Sequence, residues 1–412
     1  MEPLEMRARA YAGHYPKVKK VALSYSGGLD SVVAGSLLAM SGFEVLPIVV
    51  DLGQKSDFKR IEKNARKMFG SCSVVDTKEH FAENILRGIK ASCNIEGHVN
   101  VSGMARPALA RALAEEARKS KCNAIAHGSP GTGNDHLTME NALRVLAPEM
   151  RIMAPVRDLD MKRDEALEFA KKHKLATNLP RAKQFSSDEN LFARIIRQGI
   201  SLDPTSPLPE GVYKWTNEPK KAPSKGVNLE VEFSNGIPVM VKVEGKKFSG
   251  TVALIEKLNE IGGKHAVGRI DAMDDKVAGL KIREVYECPA ALILLTAHKK
   301  LESIVLTAKE LDIKHQVDCW WNRVVHDGGW YTRLRRSLDA LIDQIEKPVD
   351  GVVSLQLHKG AIIVRGRKSR HALYDQRLSA RDRNGVFSQK EARHFAKLYS
   401  LQDNIAYMID SD

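Results

Sequence analysis

The residues best suited to chemistry lie near the start of the chain, in Ser26-Gly27-Gly28-Leu29-Asp30-Ser31. The hexapeptide follows the apolar run Val21–Tyr25, which reads as a short strand. It precedes Val32–Met40, whose residues favour helix until Gly42 stops it. A glycine pair between a strand and a helix lets the backbone approach a ligand closely, and the helix turns its unpaired amides and positive dipole end toward that ligand. A pyrophosphate suits this place. The loop lacks the Gly-Lys-Ser/Thr ending of a P-loop and is not a GxGxxG fingerprint, so neither phosphoanhydride hydrolysis nor hydride transfer is the natural reading. An ordinary capped turn is the plain alternative, and the whole hexapeptide in its strand–helix setting weighs against it.

The elements that must position this loop follow the same alternation. Phe43–Val50 is the next apolar run, so the first fifty residues or so make a β-α-β unit with parallel strands. Helices are expected near Phe58–Phe69, Phe81–Lys90 and Pro107–Lys119, and strands near Ser73–Val75 and Asn123–Ala126. This predicts an α/β fold with a doubly wound parallel sheet over residues 18–175, after an arm at 1–17. Five prolines between Asp203 and Pro223 mark a connecting excursion, because proline lacks the amide donor that sheets and helices use. Beyond it, Leu229–Phe233, Val239–Val243, Leu292–Thr296, Val352–Leu357 and Ala361–Val364 read as strands, with helices near Val252–Ile261 and Leu334–Ile345. An α+β domain over 176–388 follows, then a helix-prone tail at 389–412 whose mixed charge suits a neighbouring subunit or a solvated end.

Composition sets outer limits. The 412 residues are 43% apolar, enough for sizeable cores, and the formal charge of +13 favours anionic partners such as nucleotides, carboxylate metabolites or RNA. No apolar run is long enough for a membrane span and Met1–Lys17 has no apolar core, so a cytoplasmic address is expected. Cys72, Cys93, Cys122, Cys288 and Cys319 form no CxxC pair and no metal-ligand spacing, and are read as reduced structural thiols.

Ser-Gly-Gly-Xaa-Asp-Ser resembles the signature of PP-loop ATP pyrophosphatases, which cleave ATP between the α and β phosphates and pass AMP to an acceptor oxygen. That resemblance implies Ser26, Gly27, Gly28 and Ser31 around the pyrophosphate, with Asp30 orienting the loop or helping to hold Mg²⁺. It becomes specific with Ser24-Tyr25 ahead of the loop, Asp51-Leu52-Gly53-Gln54, Ala105-Arg106-Pro107, Ala126-His127-Gly128, Gly133-Asn134-Asp135 and Ser186 with Asp188-Glu189-Asn190. Gly263-Lys264-His265, Gly268-Arg269-Ile270-Asp271, Arg283-Glu284-Val285-Tyr286-Glu287, Gly366-Arg367 and Leu373-Tyr374-Asp375 extend it. From Val18 to its end the chain resembles the argininosuccinate synthase family.

The resemblance implies a reaction in which the ureido oxygen of citrulline attacks the α-phosphate of ATP, pyrophosphate leaves, and the amine of aspartate displaces AMP. It implies catalytic roles for Asp30 and Ser31, and an ATP site at Ser24, Tyr25, Ser26, Gly27, Gly28, Asp30, Ser31, Val50 and Gly128. Substrate contacts are implied at His98, Asn134, Asp135, Thr138, Ser186, Asp274 and Tyr286. ATP with Mg²⁺ is the implied cofactor pair and a homotetramer the implied assembly, with the tail as its oligomerisation helix. From the residues alone, Asn134-Asp135 could instead cap the helical run Asp135–Leu146, and Tyr286 could be a packed aromatic.

Several positions depart from the family pattern. Pro130, Thr132 and Thr138 stand where threonine, lysine and a carboxylate-clamping arginine are expected, and a hydroxyl imitates a bidentate guanidinium poorly. His98, or Val99 after a one-residue shift, replaces a substrate tyrosine. Gly103 or a gap replaces a serine, Ile195 replaces another serine, and Asp274 shortens a glutamate. His98 and His136 could be new ligand contacts, and Cys93 beside the altered segment raises sulfur transfer. Three readings therefore stand: the synthase itself; a paralogue adenylating another metabolite or an RNA base for a different amine or sulfur nucleophile; and a nucleotide-binding scaffold without catalysis. The late basic residues Lys368, Arg370, Arg377, Arg381 and Arg383 bring no recognised RNA-binding module.

Overall fold

The computed structural model describes residues 4–175, 185–197, 199, 203–379 and 389–411. Its N-terminal part is built on five parallel strands, ordered Ser73–Asp76, Glu44–Asp51, Lys20–Ser24, Ala124–Ala126, Arg151–Met153. Parallel pairing demands crossovers, and the helices Leu29–Met40, Phe58–Phe69, Lys78–Lys90, Val101–Lys119 and Asp135–Leu146 supply them. Glu44–Asp51 is buried at six consecutive positions, Val45 to Val50, as a strand covered on both faces must be.

Local chemistry explains several boundaries. The helix Phe58–Phe69 is capped by Asp57, which accepts from the Arg60 amide at 3.0 Å, and is stopped by Gly70 at φ 81°. The helix expected from Pro107 begins at Val101 instead, with Pro107 inside it. Burial of Val101, Met104, Ala105 and Ala108 along one stripe carries the helix through the proline.

The C-terminal part holds two further sheets. One is antiparallel, ordered Lys246–Ser249, Ile237–Val243, Val227–Ser234, Gly351–His358, Ala361–Lys368. The other runs Arg269–Asp275, Lys281–Glu287, Arg194–Arg197, Ser186–Glu189. The strand expected at Leu292–Thr296 is instead the middle of a helix, Pro289–Val305. The buried side chains of that helix do follow a helical stripe, Ala290, Ile293, Leu294, Ala297, Leu301 and Val305, but every residue from Leu292 to Leu295 is apolar, and so short an unbroken run looks like a buried strand. The proline-rich stretch contains two single-turn helices, Glu210–Val212 and Pro219–Lys221, and packs Leu208 and Val212 against Ile196 and Val285. The tail forms helices Gln389–Tyr399 and Leu401–Asp410. Among the described residues, no helix is long and apolar enough to cross a membrane.

Candidate active site

Strand order in the parallel sheet reverses between Lys20–Ser24 and Ala124–Ala126, so the loops leaving these two strands diverge and open a crevice at their C-terminal ends. The glycine loop occupies one side. Gly27 sits at φ 72°, where only glycine is at ease, and the serines brace the turn from within. Ser31 Oγ donates to the Gly28 carbonyl at 3.0 Å and accepts from the Ser26 amide at 3.3 Å, while the Gly28 amide donates to Ser26 Oγ at 3.3 Å. The helix begins at Leu29 with no side-chain cap, so its first-turn amides are left to a ligand.

The second loop lies directly against the first. A Cβ on Gly128 would stand 2.8 Å from the Asp30 carbonyl and 3.0 Å from the Ser31 amide nitrogen. His127 anchors this loop: its Nδ1 accepts from the Ser129 amide at 3.3 Å, which leaves Nε2–H to donate to Glu140 at 3.4 Å. Burial pushes the Glu140 carboxyl up, but His127 and Arg157 outweigh it and hold it near pKa 2.

The crevice widens into a cleft of about 710 Å³. Its walls include Ser24, Tyr25, Ser26, Gly28, Asp30, Ser31, Val50 and Gly128 from the expected nucleotide side. They also include every residue expected on the substrate side: His98, Asn134, Asp135, Thr138, Ser186, Asp274 and Tyr286. Gly27 is not itself a wall residue. The Tyr25 ring packs edge-on against Phe69 in the core, and burial pushes its hydroxyl up to about 12.

Asn134 and Asp135 do not cap the helix Asp135–Leu146 with their side chains. The Asn134 carboxamide accepts from the Val277 amide at 2.9 Å, and its Nδ2 faces His326 Nε2 at 3.1 Å. Asp135 takes a two-pronged contact from Arg106 at 3.0 and 2.9 Å, and a third bond from Arg197 at 3.2 Å. Burial pushes the Asp135 carboxyl up, but the two guanidiniums overcome it and leave it well below the carboxylate range. Arg106 reaches Asp188 as well, at 2.5 Å. Arg197 lies 2.8 Å from Glu284, which also receives Lys276 at 2.8 Å and the Tyr286 hydroxyl at 2.5 Å. Lys276 in turn pairs with Asp274.

The departures from the family pattern acquire physical content here. Both candidates for the tyrosine's place, His98 and Val99, line the cleft; the His98 ring stacks on Tyr286 at 5.0 Å and its Nε2 is 4.0 Å from Asp274. Burial lowers its pKa against the pull of Asp274 and Glu284, which favours the neutral imidazole. Gly103 leaves no room for a serine, since a Cβ would meet Asn100 Oδ1 at 2.6 Å and Val325 Cγ1 at 2.8 Å. Thr138, 2% exposed, donates its hydroxyl to the backbone carbonyls of Asn134 and Asp135 and offers nothing like a guanidinium. Ile195 pairs opposite Tyr286 in the sheet, buried and outside the cleft wall. His136 is not a wall residue. Cys93 is fully buried away from the cleft, and burial pushes its thiol far up, which removes the sulfur-transfer idea.

The sequence reading passed over Arg197, Lys276 and His326, and quoted Arg106, Asp188 and Glu284 only as motif letters. The bonds of Arg106 to Asp135 and Asp188, of Arg197 to Asp135, and of His326 to Asp274 join residues 29 to 82 positions apart that meet only in the folded chain, whereas Lys276 pairs locally with Asp274 and Glu284 and carries no motif.

Residues 20–176 match the arginosuccinate synthase N-terminal HUP domain, and residues 185–406 match the arginosuccinate synthase C-terminal domain. The chain belongs to the argininosuccinate synthase family. It is 42% identical over 393 residues to the argininosuccinate synthase of Pyrococcus furiosus, covering 94% of each chain. The enzymes of the same name from Archaeoglobus fulgidus and Methanococcus maripaludis are 40% and 39% identical, over 94% and 93% of this chain and 98% and 97% of theirs. As a member of that family the chain is an ATP-dependent, AMP-forming ligase, and its parallel-sheet domain is the family's nucleotide-binding HUP domain.

Proposed function

We propose that this chain condenses citrulline with aspartate at the expense of ATP, giving argininosuccinate, AMP and pyrophosphate. The observation that carries the reading is the complete Ser26–Ser31 loop at the sheet's reversal point, opening onto the cleft that also holds Asn134 and Asp135. In the first step the ureido oxygen bonds to the α-phosphorus and the bond to the bridging oxygen of pyrophosphate breaks. In the second, the aspartate nitrogen bonds to the activated carbon, AMP departs with the former ureido oxygen, and the amine loses its protons to solvent.

The residues divide the labour by chemistry. The first-turn amides after Gly28 receive the departing pyrophosphate, with Ser26 and Ser31 fixing the turn that aims them. Asp135, held as a carboxylate, receives the ammonium of the amino acid. So depressed a carboxylate is too weak a base to deprotonate that ammonium, so Asp135 orients rather than abstracts. Ser186, Tyr286, His98, Thr138 and Asp274 form the acceptor side. Holding three reactants in line removes orientational freedom that would otherwise slow the reaction.

Mg²⁺ fits the phosphate end of the cleft. Burial pushes the Asp30 carboxyl up, opposed by the field of Arg163, so a cation shared with the phosphates would relieve a poorly solvated charge. Bound there, the ion would neutralise charge on the leaving pyrophosphate. We further propose division at 18–175, 176–388 and 389–412, a cytoplasmic location, and a homotetramer, the last supported by the exposed apolar tail.

The test is incubation with Mg-ATP, citrulline and aspartate, following pyrophosphate, AMP and argininosuccinate together and omitting each amino acid in turn. Argininosuccinate that requires both amino acids is the expected result. Intact ATP binding without product would overturn the substrate assignment.

A further inference from the structure

The cleft wall contains a histidine that neither the loop chemistry nor the proposed substrate contacts use. His326 ends the helix Ala308–His326 and is buried against the substrate side. Its Nδ1 lies 2.9 Å from Asp327 Oδ1, and its Nε2 meets two groups at once, Asp274 Oδ1 at 3.0 Å and Asn134 Nδ2 at 3.1 Å. Those two neighbours make opposite demands. A carboxylate oxygen wants a proton on Nε2, whereas an amide nitrogen that has a hydrogen to give wants a lone pair there. The Asn134 carboxamide cannot evade the conflict by turning over, because the Val277 amide holds its oxygen in place.

We infer that His326 is a positioning residue for the acceptor: protonated, it bonds Asp274 and leaves the Asn134 amide hydrogens to the cleft, and neutral at Nε2, it captures one of them. The inference rests on the proposed reading for the identity of the acceptor only. The charged and titratable groups facing His326 are Asp274 and the Lys276 paired with it, His98 across Asp274, Glu284 beyond Lys276, and Asp327 in its own turn. In that cluster Arg106, Arg197 and Lys276 oppose Asp135, Asp188, Asp274, Glu284 and Asp327, three cations against five carboxylates. A charged His326 offsets part of that negative excess. Burial pulls the His326 pKa down, but its bonds to Asp274 and Asp327 outweigh this and leave it raised. The charged, acceptor-ready form therefore persists until pH rises through that raised value.

The test compares wild type with His326→Gln and Asp327→Asn, measuring KM for citrulline and for Mg-ATP across the neutral to alkaline range. In wild type the citrulline KM should climb severalfold with pH while the ATP KM stays within about twofold. Glutamine cannot titrate, so His326→Gln should give a flat citrulline profile. Asp327→Asn removes one charge that favours the cation, so the climb should move to lower pH by about half a unit. A climb that survives in His326→Gln, one that stays put in Asp327→Asn, or a parallel climb in ATP KM would each overturn the inference. If wild type makes no argininosuccinate, the substrate reading fails and the inference is decided by NMR of protein labelled with ¹⁵N-asparagine. The Asn134 side-chain amide signal, assigned with Asn134→Asp, should titrate in wild type and stand still in His326→Gln; a signal that does not titrate in wild type overturns it.

Discussion

Gly128 lies face to face with the peptide of Asp30, so close that a methyl group on it would overlap the Asp30 carbonyl carbon and oxygen, both 2.8 Å away. Two loops that leave different strands thus share one van der Waals surface, and neither can move alone. Gly128→Ala must push the start of the helix Leu29–Met40 outward, at a cost of about 1–3 kcal/mol for an overpacked contact. The shift falls on the first-turn amides proposed to receive the pyrophosphate. ATP affinity measured by calorimetry should drop about tenfold or more, with a smaller change in citrulline affinity.

Asp30→Ala removes the half-buried carboxylate nearest the phosphate loop without touching the serine bonds that shape it. If the carboxylate serves the departing pyrophosphate, through Mg²⁺ or through the loop, AMP formation should fall by at least about a hundredfold. ATP should still bind, which separates a chemical defect from a collapsed site. A variant that releases pyrophosphate at the wild-type rate would take Asp30 out of the reaction.

Arg106 keeps Asp135 ionised, and that coupling has a predictable pH signature. A carboxyl whose folded pKa is depressed contributes stability that is complete above its unfolded value, about 4, and is lost as pH falls through the folded value. Arg106→Met removes the main lowering partner and leaves Asp135 and Asp188 without it. The difference in Tm between wild type and Arg106→Met should hold steady from neutral pH to about pH 4 and narrow below it. A difference independent of pH would mean that the guanidinium acts by packing alone.

What could be read in the sequence was what is local. The glycine loop, the Phe58–Phe69 helix with Asp57 before it and Gly70 after it, and four of the five parallel strands announce themselves through neighbours a few residues away, whereas the three-residue strand Arg151–Met153 does not. The Lys281–Glu287 strand does not, because Arg283, Glu284 and Glu287 are buried charges where a half-buried strand would alternate apolar and polar. Glu287 and Glu284 are met by Arg194 and Arg197 from a strand about ninety residues earlier, and Arg283 by Asp271 on the neighbouring strand. Residues of the candidate site follow the same division: Asn134 and Asp135 are legible through a motif, whereas His326 becomes visible only when folding brings it to Asp274, 52 positions away.

The tail offers a separate prediction. Phe395, Leu398, Tyr399, Tyr407, Met408 and Ile409 are all exposed on the helices Gln389–Tyr399 and Leu401–Asp410. So large an apolar share on two short helices is expected of a surface that another subunit covers. Deleting the residues after Gln389 should lower the mass seen by light scattering while leaving ATP binding at the distant loop intact. An unchanged mass would refute an assembly role for the tail.

Thr138 separates two accounts of the acceptor side. Its hydroxyl is already committed to the Asn134 and Asp135 carbonyls one helical turn back, and its α-carbon is covered by Gly328, whose added Cβ would lie 3.1 Å away. If the acceptor's carboxylate is bound by other groups, Thr138→Val, nearly isosteric, should leave the citrulline KM within about threefold, because only a backbone-directed hydroxyl is lost. If instead the hydroxyl turns outward to serve that carboxylate when substrate arrives, the same substitution should raise the citrulline KM about tenfold or more, the loss expected for a hydrogen bond to a charged group. The buried, back-bonded geometry favours the small effect, and steady-state kinetics of this one variant, with ATP saturating, distinguishes the two.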